Sequence, residues 1–126
     1  MTRSLSVALL AAVMLLAMPA AAQTAPADAQ VYVFLYRAGP SWKAGRPMGE
    51  QNLGAHAAYI KKLLDDGRLF AGGPTGADTG LAIVRAANLE EAQTMLSADP
   101  AITTGVFIAD LRRWTPAFDS KKPLRP

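Results

Sequence analysis

Cysteine is absent from this chain of 126 residues, and histidine occurs once, as His56. Without cysteine the domain has no disulfide to limit the entropy of its unfolded state, so its stability has to come from packing or from association. A lone histidine without cysteine also lacks the paired ligand spacings of a structural or catalytic zinc site. We therefore expect neither a bound metal nor a cofactor.

Long apolar runs are missing except near the N-terminus, at residues 5–17. This run is shorter than the roughly 20 residues needed to span a bilayer. Arg3 precedes it, and Ala20-Ala21-Ala22 offers the small side chains of a cleavage site. We therefore predict a signal peptide over residues 1–22, cut after Ala22, and a periplasmic or secreted protein with no stable membrane insertion. The alternative is an uncleaved N-terminal tether, since the cleavage site is inferred from side-chain size alone.

Basic residues are too dispersed for a nucleic-acid surface, although the net charge is +3. A nucleic-acid binder would gather Lys and Arg along one face with aromatic residues between them. We therefore expect no nucleic-acid partner. The composition indicates a flexible linker at 23–30, a folded domain at 31–118 and a disordered tail at 119–126.

Strand-like and helix-like patterns alternate through the folded domain. Strands are predicted at 31–37, 69–72, 81–86 and 106–114, and helices at 50–66 and 88–98. Gly67 is predicted to end the first helix, Asn88 to begin the second and Asp99-Pro100 to end it, and residues 73–79 are predicted to form a turn. The inward residues of the two helices are predicted to be Leu53, Ala57, Ile60 and Leu64 in the first and Leu89, Ala92 and Leu96 in the second. This order is that of the α+β, ferredoxin-like βαββαβ fold, in which two helices cover one face of a four-stranded antiparallel sheet.

The first strand is apolar on both faces. Tyr32, Phe34 and Tyr36 alternate with Val31, Val33 and Leu35. Two helices can cover only one face of the sheet, and an uncovered apolar face of several hundred Å² is rare on a soluble monomer. The pattern therefore predicts a homodimer packed sheet to sheet.

Five short segments together resemble the YCII-related family. They are Gly54-Ala-His56-Ala-Ala-Tyr59, Ala71-Gly72-Gly73-Pro74, Leu89-Glu-Glu-Ala92, Ala98-Asp99-Pro100 and Gly105-Val106-Phe107. The resemblance covers nearly everything from Val31 to about Trp114. It implies a ferredoxin-like subunit of a dimeric α/β barrel.

The resemblance also implies a histidine and aspartate pair in a pocket between sheet and helix, at His56 and Asp99. A helical projection puts His56 about 60° from the centre of its apolar arc, towards the sheet edge. Asp99 could hold the imidazole in one tautomer for use as a general base. Two structural alternatives stay open: a buried pair that only satisfies its own hydrogen bonds, and an Asp99 that accepts turn amides before Pro100.

Five further residues are candidates for substrate binding. Trp42, Glu50 and Gln51 lie on the long loop or at the start of the first helix, where they could close over the pocket. Arg37 could pair with an anionic substrate, and Gly73 could let a ligand approach the backbone. Each of four residues also has a structural alternative. Trp42 could fill the dimer interface, and Glu50 could interact with the positive end of the helix. Arg37 could be solvated at the end of its strand, and Gly73 could supply unusual dihedral angles at a strand end.

The family resemblance implies a lyase or dehydrochlorinase that acts on small aromatic ring compounds. The first hypothesis is an exported homodimer that abstracts a proton from a small cyclic or aromatic compound, with elimination or isomerisation. In it His56 is the base and Asp99 orients it. The second is a non-catalytic, stress-associated or ligand-binding module that sequesters a small molecule. Because some related barrels bind haem, an axial role for His56 is a further alternative to the expected absence of a cofactor.

Overall fold

The computed structural model describes residues 25–122 and has the α+β, ferredoxin-like fold that the sequence predicts. The strands are β1 (Gln30–Ala38), β2 (Leu69–Pro74), β3 (Thr79–Ala86) and β4 (Phe107–Arg113), and the helices are α1 (Gly54–Asp65), α2 (Leu89–Ser97) and α3 (Pro100–Thr103). The strands form one antiparallel sheet in the order β2-β3-β1-β4. The predicted signal peptide and the last four residues of the predicted tail lie outside the described residues. In the part of the chain that is described, no helix has the length and apolarity to cross a membrane.

β1 runs through the centre of the sheet and carries the core. Tyr32, Phe34 and Tyr36 are buried on the face that the helices cover. The alternate residues point to the other face, where Leu35 is 43% exposed. No helix of residues 25–122 covers this outer face, on which β1 presents Val31, Val33 and Leu35. The homodimer inferred from it stays a prediction.

α1 differs from its prediction at its start and on its inner face. It begins at Gly54, not at Glu50, because Met48–Glu50 forms a single 3₁₀ turn that ends in extended backbone. Leu63 is buried, whereas Leu64 is 54% exposed. The prediction of an inward Leu64 is therefore wrong, because that stripe of α1 borders a cavity and does not enter the core. The predicted stop at Gly67 is confirmed by its positive φ of 70°.

α2 begins as predicted, since the Asn88 side chain accepts a hydrogen bond from the backbone amide of Glu91. Burial on this helix starts one turn later, at Ala92 and Met95. The prediction that Leu89 faces inward is wrong. Leu89 is 49% exposed, because the first turn of α2 lies in solvent.

The Asp99-Pro100 pair ends α2 as predicted and also begins the short helix α3, which the sequence pattern did not predict. Asp99 is the N-cap residue of α3, and Pro100 takes the first helical position, where its missing N–H costs nothing. The chain then turns at Gly105, which has a φ of 73°, and enters β4.

Candidate active site

A cavity of about 870 Å³ lies between α1 and the β2–β3 edge of the sheet. α1 and its N-cap residue contribute Leu53, His56, Ala57, Ile60, Lys61 and Leu64 to its lining, and the sheet contributes residues 69–74 and 80–82 together with Tyr36 and Phe107. Met48 from the loop completes the lining. This volume is in the range of pockets that enclose small organic ligands.

His56 and Asp99, which the sequence analysis paired, are in direct contact. Nδ1 of His56 lies 2.8 Å from Oδ1 and 2.9 Å from Oδ2 of Asp99. The aspartate side chain is fully buried, whereas 18% of the imidazole surface is exposed. The pair therefore has one buried end, at the carboxylate, and one end that reaches the cavity, at the imidazole.

The Asp99 carboxylate accepts two further hydrogen bonds. Tyr36 donates its hydroxyl to Oδ2 at 2.8 Å, and the backbone amide of Ala101 donates to Oδ1 at 2.9 Å. Two donors and the imidazole thus converge on one buried carboxyl group, so that both of its oxygens have hydrogen-bond partners. The expected bond between Asp99 and a nearby turn amide is thus present together with the histidine contact.

When Asp99 is a carboxylate it only accepts hydrogen bonds, and the proton between the two groups is then on His56 Nδ1. Nε2 of the neutral imidazole then carries the free lone pair. Within residues 25–122, no side chain or backbone group forms a hydrogen bond with Nε2. The arrangement therefore presents one basic nitrogen at the cavity wall, with its tautomer set from behind.

Aromatic side chains hold the imidazole in place. Tyr36 and Phe107 contact the His56 ring edge to face, with ring centroids 5.5 Å and 5.8 Å away. Burial raises the pKa of the Tyr36 hydroxyl above its ordinary value, and the Asp99 charge raises it further, so this hydroxyl stays a donor. From the sequence Tyr36 was predicted only as part of an apolar strand face, and its part in the site was missed. The alternation of β1 indicates that Tyr36 faces the helices, but it does not indicate that its hydroxyl binds Asp99, 63 residues away.

Gly73 lies in the cavity lining, as a backbone-contact role requires. It belongs to β2, paired with Leu81, and not to the predicted turn, because β2 continues to Pro74. Its neighbour Gly72 packs closely on β3: a Cβ there would lie 3.2 Å from the carbonyl oxygen of Leu81. At Gly72 and Gly73 the cavity wall is therefore formed by backbone.

The other four predicted binding residues lie outside the lining of this cavity. Arg37 is exposed on β1 and points to the outer face of the sheet, opposite to Tyr36. Glu50 forms an exposed ion pair with Arg46. Trp42 stacks on Phe107 at a centroid distance of 5.4 Å and so reaches the site through that ring.

Gln51 is buried and fastens the loop that precedes α1. Its amide accepts a hydrogen bond from the backbone N–H of Lys43 and donates to the carbonyl oxygens of Lys43 and Arg46. These three bonds occupy the amide with the loop backbone.

Residues 25–122 include no group of three or more His, Cys, Asp or Glu side chains that could hold a metal ion.

Comparison with known proteins gives one family and one informative structure. The model of the YCII-related domain matches residues 30–115, and no curated protein sequence matches the chain. A similar solved structure is the 5-chloro-2-hydroxyhydroquinone dehydrochlorinase of Burkholderia phenoliruptrix in complex with 2,5-dihydroxybenzoquinone. The two chains are 23% identical, the TM-score is 0.51, and the match covers 67% of this chain and 93% of that one. This likeness shows a common fold.

Proposed function

Because the chain belongs to the YCII-related domain family, we propose that it is an enzyme that converts a small cyclic or aromatic compound, with His56 as general base and Asp99 as the residue that orients it. The observation that carries the proposal is the contact of His56 Nδ1 with the buried Asp99 carboxylate, because it leaves Nε2 as a free base at the wall of a cavity. General bases placed in this way contribute typically 10²- to 10⁴-fold in rate.

The reaction class is a proton abstraction followed by elimination or isomerisation. Nε2 of His56 accepts a proton from a C–H or O–H bond of the ring compound, and the electron pair of that bond forms a new double bond. In an elimination, the leaving group departs with the electrons of its own bond. In an isomerisation, an existing double bond breaks instead, and its electrons take the proton back from the imidazolium at another carbon. Asp99 stabilises the imidazolium ion that results, as the carboxylate does in other histidine–carboxylate pairs.

The apolar lining supports a ring compound as substrate. The sheet wall is made of Leu69, Ala71, Gly72, Gly73, Leu81 and Ala82 among others. A flat apolar ring can pack against such a wall, and its polar substituents are then read by the few polar groups present. The dehydrochlorinase described above binds a compound of this shape.

The test is a thermal-shift scan of small phenols and lactones, followed by activity assays on the compounds that bind and on 5-chloro-2-hydroxyhydroquinone, for which chloride release is measured. We expect His56→Ala to lower turnover by at least about 100-fold and to retain a cooperative thermal transition close to that of the wild type. Equal losses of turnover and of folding would assign His56 a structural role.

The alternative is a binding module that sequesters its ligand. It predicts saturable binding without turnover, and binding that survives His56→Ala. The imidazole forms only part of the lining, so a ligand can still bind after it is removed. Binding and turnover measured on the wild type and on His56→Ala therefore distinguish the enzyme from the binding module.

We further propose that two copies pack through the outer face of the sheet and that the protein is exported. The exposed Leu35 on that face supports the dimer, and the apolar run at residues 5–17 supports export. N-terminal sequencing of the protein from the cell envelope should begin at Gln23, and Leu10→Arg should retain the full-length chain in the cytoplasm. Full-length wild-type chain in the envelope fraction would instead favour the uncleaved tether.

A further inference from the structure

Lys61 is the one lining residue of the cavity, within the described chain, whose side chain carries a full charge independent of the His56–Asp99 pair. The lining contains no aspartate or glutamate. Asp99 lies behind the imidazole and is fully buried, and both of its oxygens have hydrogen-bond partners. Lys61 therefore supplies the one full charge on the lining itself, at least among the described residues.

Lys61 and His56 lie on opposite sides of the apolar stripe of α1. Lys61 comes five positions after His56, so the two are about 140° apart around the helix and about 7.5 Å apart along its axis. Between them lie Ala57 and Ile60, which also line the cavity. His56 is mostly buried, whereas the Lys61 side chain is 71% exposed, so the imidazole marks the inner part of the cavity and the ammonium its mouth.

We infer that the cavity selects ring compounds that carry an anionic substituent, with Lys61 as the residue that recognises it. This inference rests on the proposed function of the same site and names its substrate class. The ring packs on Ala57, Ile60 and the glycine wall of β2, with its reacting atom towards His56. Its carboxylate or phenolate oxygen points to the mouth and meets the Lys61 ammonium.

Asp65 limits the strength of this recognition. It forms an ion pair with Lys61 at 2.6 Å, one helical turn further along α1. An anionic ligand has to share or displace that partner in an exposed position, where such pairs are weak. The expected preference for an anionic ligand over its neutral isostere is therefore about three- to five-fold in Kd.

The experiment compares para-hydroxybenzoate with its neutral isostere para-hydroxybenzamide, titrated into the intact protein and followed by NMR chemical shifts. The matched control is Lys62, the next residue on α1, which is similarly exposed, forms the same kind of ion pair with Asp66 and does not line the cavity. Lys61→Met should abolish the preference for the acid, and Lys62→Met should preserve it. Asp65→Asn should increase it, because the ammonium loses its competing partner.

Three results would overturn the inference: equal affinity of the wild type for acid and amide, no binding of either at millimolar concentration, or a preference that survives Lys61→Met. A preference that disappears in His56→Gln but persists in Lys61→Met would assign recognition to the imidazole and also overturn it. Loss of turnover in His56→Ala is measured separately. The proposed reaction can therefore fail while Lys61 still selects anions. Equally, His56 can prove essential for turnover while Lys61 selects nothing.

Discussion

Tyr36 on β1 and Asp99 at the start of α3 are joined by a buried hydrogen bond of 2.8 Å across 63 residues of sequence. The same carboxylate receives His56 from α1. Asp99 thus connects the central strand, the first helix and the short third helix at one point. The position of the imidazole depends on this junction, and not on α1 alone.

Removal of the Tyr36 hydroxyl should weaken both folding and turnover. Tyr36→Phe deletes a donor to a buried carboxylate, and hydrogen bonds to charged groups contribute about 1.5–3 kcal/mol. We expect a loss of about 2 kcal/mol in the free energy of unfolding in urea, together with a lower kcat. Tyr32→Phe is the control, because Tyr32 is equally buried on the same strand but donates to the neutral side chain of Gln30. Its cost should be smaller and kcat should not change; equal effects on kcat would contradict a role of Tyr36 in positioning Asp99.

A side chain at Gly39 should disturb the loop that follows β1. A Cβ at this position would lie 2.3 Å from the carbonyl oxygen of Gly105. That backbone cannot move easily, because the Gly39 amide donates to Val106 and the Ser41 amide donates to Gly105. Gly39→Ala is expected to cost about 1–3 kcal/mol of stability, measured by urea unfolding. Gly49→Ala on the same loop meets no atom within 4 Å and should change stability little; comparable losses would contradict this account.

The stability contributed by Glu91 should depend on pH. Hydrogen bonds from the Ala87 amide and from Arg68 lower the pKa of its carboxyl below the ordinary 4.5. A lowered pKa in the folded state gives a contribution that is fully present above the unfolded value and is lost as the pH falls through the folded value. Glu91→Gln should therefore reduce the free energy of unfolding by about 1 kcal/mol at pH 7, and the difference from wild type should shrink below pH 4.5.

Glu90→Gln provides the control for that experiment, because Glu90 is exposed in the same first turn of α2. Glu90→Gln removes one negative charge, as Glu91→Gln does, but leaves the hydrogen bond from the Ala87 amide to Glu91 intact. A difference from wild type that stays constant with pH in Glu91→Gln would refute the linkage.

The outer sheet face provides a test of the proposed homodimer. Ile83 on β3 lies on this face, opposite Val33 of β1 and Ala71 of β2. Light scattering of the wild type at micromolar concentration should give the mass of two chains, and Ile83→Glu should give that of one, since an unpaired charge would be buried in the interface. Gln93→Glu on the exposed side of α2 should leave the mass unchanged. A monodisperse wild-type monomer would exclude the dimer.

The fold was predictable because its signals are local. The strict alternation of β1, the Asn88 cap and the Gly67 stop each depend on a few neighbouring residues, and each is present in the structure. The inward faces of the helices were less predictable. Leu64 and Leu89 belong to apolar stripes, but one borders a cavity and the other lies in an exposed first turn, and neither context can be read from spacing.

The site was only partly predictable, for the same reason. Family resemblance suggested that His56 and Asp99 belong together, whereas the Tyr36 hydroxyl and the cavity position of Lys61 depend on contacts between distant elements. Trp42 and Gln51 were expected near the pocket from the length of their loop. In the structure, Trp42 stacks on Phe107, and the Gln51 side chain forms hydrogen bonds with the loop backbone.

The stacking of Trp42 on Phe107 has an optical consequence. Phe107 also contacts the His56 ring, so the indole is separated from the imidazole by one aromatic side chain. Trp114 is the other tryptophan of the chain, and its replacement by phenylalanine would leave Trp42 as the sole indole emitter. Emission from that single indole would then report on the ring stack beside His56, without any attached dye.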